Sequence, residues 1–312
     1  MIKVDLITGF LGSGKTTFIK DYVGYLIKKD MRVGIIENDY GAINVDMMLL
    51  EEAFGDKVDL EMVAGGCDAD CHRRRFKTKL IALGMQGFDR VIVEPSGIFD
   101  VDEFFDVVNE PPLEQWYEIG NVMAIVDSKL EPNLSKESDY MLCSQISNAG
   151  RIVFSKSQLA TEEEIAATKE HLSAALQRFH ATRELKETDF FVKDWNTLTD
   201  EDHEELLSSG YTVEGHVKLN LEDENGYQSL FFMNLELSKD QLVEAVREIY
   251  DDPACGKVFR VKGFVKEDTW FEINATRHEF RATPMSIGQH VIIVIGEEMD
   301  EAAIGSHLEQ TS

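Results

Sequence analysis

Short β-branched and aliphatic runs alternate with longer amphipathic ones through the first part of the chain. Ile2 to Ile7 is the first such run. After a glycine-rich segment, Phe18, Ile19, Tyr22, Val23, Leu26 and Ile27 recur at three- and four-residue spacing, the period of a helix buried along one face. Further apolar runs follow at Val33 to Ile36, Val58 to Val63, Val91 to Val93, Val122 to Val126 and Ile152 to Phe154, with helix-like stretches such as Arg74 to Leu83 and Glu162 to Phe179 between them. Strands alternating with helices predict an α/β architecture, a doubly wound and mostly parallel sheet covered on both faces. Near residues 194 to 215 the pattern changes to a polar, acidic stretch. Beyond it, His216 to Leu221 and Ser229 to Leu237 flank the turn-like Glu224-Asn225-Gly226 and suggest a hairpin. A helix from about Lys239 to Tyr250 is followed by strand-like Lys257 to Val265, Thr269 to Asn274, Arg277 to Ala282 and Val291 to Ile295. The expected organisation is therefore a nucleotide-type domain at 1–205 and a smaller α+β domain at 212–312.

Composition narrows the partners. The chain has 312 residues, 43% of them hydrophobic, enough for a sizeable core in two domains. Its 31 basic and 58 acidic residues give a formal net charge of −27, which argues against nucleic acid and against an anionic membrane surface. No apolar run approaches the roughly 20 residues that span a bilayer. A phosphate-binding motif already beginning at Gly9 argues against a secretory leader. Four cysteines, Cys67, Cys71, Cys143 and Cys255, do not form a disulfide framework in a chain of this length, so a reducing, cytoplasmic location is expected. Cys143 and Cys255 stand alone in the sequence and are expected to be buried or inert.

The candidate chemistry begins at Gly9-Phe10-Leu11-Gly12-Ser13-Gly14-Lys15-Thr16, followed by Thr17, a P-loop pattern placed directly after a strand and at the opening of a helix. Its glycines let backbone N–H groups converge on phosphate oxygens, and the helix N-terminus adds partial positive charge. Lys15 is expected to reach the β- and γ-phosphates and the Thr16 hydroxyl to ligate Mg²⁺. Val91-Ile92-Val93-Glu94 is an apolar strand ending in a carboxylate. Beside a P-loop, Glu94 is the expected group for holding Mg²⁺ or orienting the attacking water, which makes Lys15 and Glu94 the catalytic candidates. Ile35-Ile36-Glu37-Asn38-Asp39 is a second strand end, whose Glu37 and Asp39 are either further Mg²⁺ candidates or a polar loop cap.

Taken together, GFLGSGKTT at Gly9, IENDYG at Ile36, GGC at Gly65, VEPSG at Val93 and the VVNE-type helix after it resemble the CobW-like P-loop GTPases, relatives of the urease and hydrogenase nickel-insertion GTPases. Phe259 to Phe264 and Ile293 to Gly296 resemble the C-terminal domain of the same family. The resemblance implies a GTPase that delivers, or helps insert, a metal or a metal-containing cofactor such as a corrinoid into a client protein, with hydrolysis timing the transfer. The chain departs from that family at three places. Ala42 stands where a carboxylate usually ends the first acidic segment. Cys67-Asp68-Ala69-Asp70-Cys71-His72 replaces a C-x-C-C motif. Ser155-Lys156-Ser157-Gln158 replaces the guanine-reading N-K-x-D segment.

The last departure bears on the base. An Asp at the position of Gln158 would accept from both N1–H and the exocyclic amine of guanine, whereas an amide offers one acceptor and one donor face and can pair with guanine or adenine. Lys156 keeps an aliphatic stem able to lie against either. GTP and ATP are both expected ligands. Cys67, Cys71 and His72 supply donors that suit Zn²⁺, Ni²⁺ or cobalt. If residues 67 to 72 were helical, Cys67 and Cys71 would share a face and His72 would point away, so a three-ligand site requires a loop there. The functional reading is a nucleoside-triphosphate-hydrolysing maturation factor for a client metalloprotein or corrinoid protein. The alternative is a nucleotide-dependent switch that binds partners and handles no transition metal. Assembly as a homodimer is left open.

Overall fold

The computed structural model describes residues 1–39, 58–64, 69–95, 101–212, 228–233, 235–277, 279–285 and 290–310. The chain divides into two compact units, Met1–Leu219 and Asn220–Ser312.

The described elements of the first unit are, in chain order, β1 (Ile2–Gly9), α1 (Lys15–Lys28), β2 (Val33–Asp39), β3 (Val58–Ala64), α2 (Ala69–Gln86), β4 (Arg90–Glu94), α3 (Val101–Val108), β5 (Tyr117–Asp127), α4 (Lys136–Ser147), β6 (Arg151–Ser155), α5 (Glu162–Arg178), β7 (Phe190–Val192) and α6 (Asp200–Leu207). The seven strands form one parallel sheet in the order β3-β2-β4-β1-β5-β6-β7. This is the doubly wound α/β sheet expected from the alternating pattern. The winding direction reverses at β1: β2 lies to one side of it across β4, and β5, β6 and β7 lie to the other. In such sheets the crevice outside the carboxyl ends of the strands, at the reversal, is where ligands bind.

α1 packs its Phe18, Ile19, Tyr22, Val23 and Leu26 on Ile7, Ile35, Ile92 and Ile125 of the sheet. Burying each such side chain contributes about 1.5–3 kcal/mol. Beneath α1, Asp5 of β1 is wholly buried and fully engaged. Arg90 Nη1 donates to both its oxygens at 2.6 and 2.5 Å, Tyr22 Oη donates at 3.0 Å, and the Asn121 backbone N–H at 2.8 Å. The Asn121 side chain in turn donates to the Leu207 carbonyl and accepts from the Gly210 N–H. The acidic stretch 194–210, which reads as a divide in the sequence, is thus bonded to the first unit through a buried polar cluster.

The second unit contains β8 (Gln228–Met233), α7 (Lys239–Asp251), β9 (Lys257–Lys266), β10 (Trp270–Thr276), β11 (Glu279–Met285), β12 (Val291–Glu297) and α8 (Glu301–Gln310). Its strands form an antiparallel sheet in the order β11-β10-β9-β12-β8. α7 buries Leu242, Ala245, Val246, Ile249 and Tyr250 in a core shared with Val261, Ile273, Ile292, Val294, Ile304 and Leu308. This is the expected smaller α+β unit. β8 pairs with β12; residues 216–221, the other half of the expected hairpin, lie outside the described residues. Among the described residues no helix is long and apolar enough to cross a membrane.

Candidate functional site

The P-loop runs from the end of β1 into α1, at the point where the sheet reverses. Gly9, Gly12 and Gly14 have φ of 147°, 74° and 99°, a region L side chains rarely adopt. A Cβ on Gly9 would also press into the Ile125 carbonyl of β5, so glycine is required there by space as well as by dihedral. Gly14, in a left-handed conformation, is the N-cap of α1, and no side chain among the described residues caps that helix. By contrast Ser135, Thr161, Thr199 and Ser238 each accept a hydrogen bond from the first turn of α4, α5, α6 and α7. The first N–H groups of α1 are therefore kept from local side chains, the condition under which a helix N-terminus binds an anion.

Lys15 is 6% exposed, and its Nζ donates to the Gly9 carbonyl at 2.9 Å and the Phe10 carbonyl at 3.4 Å. The ammonium is thus held within the loop. Thr16 Oγ1 donates to Oε1 of Glu94, the last residue of β4, at 2.8 Å. Glu94 and Glu37 are paired positions on the adjacent parallel strands β4 and β2, and both are buried, 4% and 2% exposed. Among the described residues, Ser13 Oγ is buried with no hydrogen-bond partner. Thr17 is exposed in the first turn of α1. A glycine cradle, an uncapped helix start, a buried lysine and an orphaned serine hydroxyl fit the oxygens of a triphosphate. A hydroxyl with two carboxylates is the all-oxygen donor set that suits Mg²⁺.

Other expected residues are only partly gathered here. Asp39 is the last residue of β2, with its side chain outside the described residues. Lys156 follows β6 in a left-handed conformation, φ 56°, and its Nζ donates to Asp127 Oδ2 at 2.8 Å and to the Gly12 carbonyl at 3.4 Å. That contact ties the base-segment lysine to the P-loop. Gln158 lies exposed in the tight turn Ser157–Leu159 that follows. Cys67 lies outside the described residues. Cys71 and His72 do not lie in a loop: α2 begins at Ala69, five positions before the expected Arg74, and includes both, although their side chains are outside the described residues. No Gly or Pro interrupts the run from Ala69 to Arg74, so the helix can extend back over these residues.

Two residues at this site escape a reading by motif. Asp127 ends β5 as Glu94 ends β4, and the same signal, a carboxylate closing an apolar strand, marks it in the sequence. Trp195 follows β7, tilted against Phe18 with ring centroids 5.4 Å apart, and sits so near the P-loop that a Cβ on Gly14 would lie 3.5 Å from its ring. Its indole Nε1 is buried with no hydrogen-bond partner among the described residues. Nothing local in the sequence connects Trp195 to Gly14.

A parallel sheet that reverses beside a glycine loop holding Lys15, with Thr16 bonded to the carboxylate that ends β4, defines a P-loop nucleotide-binding domain. The sequence matches the family described as "CobW/HypB/UreG, nucleotide-binding domain" over residues 3–184. The chain belongs to that family.

It is 29% identical to "Zinc chaperone YeiR" of Escherichia coli over 52% of this chain and 49% of the relative, and 29% identical to "Zinc chaperone YjiA" of the same organism over 52% of each. It is 23% identical to "Zinc chaperone CobW" of Pseudomonas aeruginosa over 98% of this chain and 90% of that protein. The chain spans about half the length of the first two.

Proposed function

We propose that this protein is a nucleoside-triphosphate-hydrolysing metallochaperone or maturation factor, which couples hydrolysis to delivery of a metal, or of a metal-containing cofactor, to a client metalloprotein or corrinoid protein. The observation that carries the hydrolytic part is the 2.8 Å bond between Thr16 and Glu94, with Glu37 on the neighbouring strand. The triphosphate is GTP or ATP. Gly9, Gly12, Ser13, Gly14, Lys15, Thr16 and Thr17 bind its phosphates through backbone N–H groups, the serine hydroxyl and the ammonium, and Lys156 and Gln158 lie against the base. Thr16, Glu37, Asp39 and Glu94 would hold Mg²⁺, which would supply charge neutralisation to the triphosphate. Lys15 places positive charge where negative charge accumulates as the bond to the γ-phosphorus breaks, and Glu94 orients the attacking water. Water adds to the γ-phosphorus and the nucleoside diphosphate leaves.

For cargo, the relatives' printed roles support Zn²⁺, and Cys67, Cys71 and His72 are the proposed ligands, with cobalt as the other candidate. A second reading, a nucleotide-dependent switch that carries no transition metal, draws support from α2. Consecutive positions such as 71 and 72 are about 100° apart around a helix axis.

Zn²⁺ and Co²⁺ affinity of the full chain, measured by chelator competition with and without a non-hydrolysable triphosphate, separates the two readings. Nucleotide-dependent affinity that Cys67→Ser and Cys71→Ser each weaken supports delivery; affinity unchanged in both variants favours the switch. Lys15→Ala tests the part common to both. Triphosphate turnover should be lost in a protein whose circular dichroism matches the parent, and parental turnover in that protein would sink the hydrolytic assignment.

A further inference from the structure

The sequence treats Cys255 as isolated. The structure does not. α7 ends at Asp251, and Asp252 caps the tight turn Pro253–Cys255 by accepting a hydrogen bond from the Ala254 N–H on Oδ1 at 2.9 Å. With that oxygen engaged, Oδ2 faces His307 Nε2 of α8 at 2.9 Å. The turn carries Cys255 beneath them, fully buried, and one ligand atom from each of Asp252, Cys255 and His307 lies within 4.8 Å of the others. The other ring nitrogen of His307, Nδ1, faces Glu248 Oε2 of α7 at 3.1 Å.

We propose that Asp252, Cys255 and His307 form a second transition-metal site, for Zn²⁺ or Co²⁺, lying wholly within the second unit.

Three arguments carry it. The donor set is one sulfur, one imidazole nitrogen and one carboxylate oxygen, the mixture that Zn²⁺ and Co²⁺ take in a three-ligand site with water completing a tetrahedron. The second argument is the support behind the ligands. A metal-binding histidine characteristically donates its other ring N–H to a carboxylate, which sets the tautomer and aims the free nitrogen at the ion. Glu248 occupies that place, and the Ala254 N–H orients Asp252 in the same way. The third is Cys255. Cys255 packs in the apolar core of the second unit, yet its sulfur also lies within 4.8 Å of the Asp252 and His307 donors, which an ion pair of His307 with Glu248 and Asp252 alone does not require.

The three donors are near enough for small side-chain movements to close them on one ion. Metal–nitrogen and metal–oxygen bonds of about 2.0–2.2 Å at a tetrahedral angle separate N from O by about 3.3 Å, so His307 and Asp252 need part by only about 0.4 Å. Both side chains are partly exposed, 19% and 35%, which leaves an entry path, while Cys255 closes the buried side. Binding forms metal–sulfur, metal–nitrogen and metal–oxygen bonds and releases the thiol proton and any proton on Nε2 to solvent. The proposal does not depend on Cys67, Cys71 or His72.

The test uses the full chain, reduced and stripped of metal, carrying Cys67→Ser and Cys71→Ser so that the other candidate cluster is silent. Titration with Co²⁺ should give the near-ultraviolet thiolate-to-cobalt charge-transfer band, saturating at one ion per chain. Adding Cys255→Ser should abolish the band. Adding His307→Gln, at a half-buried position that leaves the core untouched, should weaken Co²⁺ and Zn²⁺ binding in chelator competition by more than tenfold, and Glu248→Gln should weaken it by about tenfold. His307→Gln decides the matter if Cys255→Ser disturbs folding. Absence of the band in the Cys67→Ser/Cys71→Ser background, or affinity unchanged by His307→Gln, would overturn the site. Loss of nucleotide-dependent metal binding in that background, with the band retained, would bear on the Cys67 cluster alone.

Discussion

Glu94 shows how little separates a structural from a chemical role for one side chain. It accepts a hydrogen bond from Thr16, sits beside Glu37, and is almost completely buried. Replacing it by Gln keeps the size and the acceptor for Thr16 while removing the charge. Glu94→Gln should therefore lower turnover at least tenfold and change triphosphate affinity far less, because a group that orients water or metal acts chiefly in the transition state. Equal losses of binding and turnover in steady-state and titration measurements would assign Glu94 a structural role. Gln158 poses the complementary question at the base. Hydrogen bonds to a charged group are worth roughly 1.5–3 kcal/mol each. With an amide in place of the carboxylate, the preference for GTP over ATP should stay below about tenfold, or roughly 1.4 kcal/mol. Gln158→Asp should raise it. Parallel titrations check this, and a hundredfold preference in the parent would mean that another segment reads the base. Glu94 is legible in the sequence because it closes a short apolar strand, and Gln158 because its segment stands where the family it resembles has a base-reading motif. Trp195 is not, since only the pairing of β7 with β6 carries it to the P-loop.

At the scale of elements, legibility follows from how one-sided the burial is. α1 and α7 each bury a single stripe and read clearly in the sequence. α4 does not, because Ser138, Asp139, Ser144, Gln145 and Ser147 are buried along with Tyr140, Met141, Leu142 and Ile146, so no polar face marks its period. α6 is missed for the opposite reason: its acidic residues read as a linker. Its start is nevertheless specified by Thr199 and Asp202, a capping box in which each side chain accepts from the other's backbone N–H. The Lys193 ammonium hydrogen-bonded to Asp202, followed by the Thr199 N–H, pulls the Asp202 carboxyl down to about 2 from an ordinary 3.8. Because the folded value is depressed, the stabilisation is fully present above pH about 3.8 and disappears as the pH falls through about 2. Asp202→Asn should destabilise the protein by about 1 kcal/mol near neutral pH, with the difference from the parent closing below pH about 4. Thermal melts across that range check it; a difference independent of pH would mean that packing, not charge, is what the substitution removes.

For the whole molecule, nucleotide and fold are linked by mass action. A ligand that binds only the folded first unit stabilises it by about 2.7 kcal/mol when present at about a hundred times its Kd. Calorimetry with Mg²⁺ and a non-hydrolysable triphosphate should show an upward shift of the unfolding transition that Lys15→Ala abolishes. An unshifted transition in the parent would mean that the P-loop does not hold a triphosphate with useful affinity. The sequence by itself determined what is encoded by neighbours: the strand–loop–helix at Gly9 to Thr16, the carboxylates closing β2 and β4, the alternation that makes a parallel sheet, and the change to antiparallel strands beyond residue 228. These are short-range matters of side-chain period, glycine dihedrals and turn chemistry. Only the tertiary structure decided which of them meet. The order β3-β2-β4-β1-β5-β6-β7 sets Glu37 beside Glu94, carries Asp127 and Lys156 to the P-loop, and lays Trp195 against Gly14. The packing of α8 beside the end of α7 brings His307 to Asp252 and Cys255. Such proximities depend on which distant strands and helices pair to bury apolar surface, and no local preference along the chain records that choice.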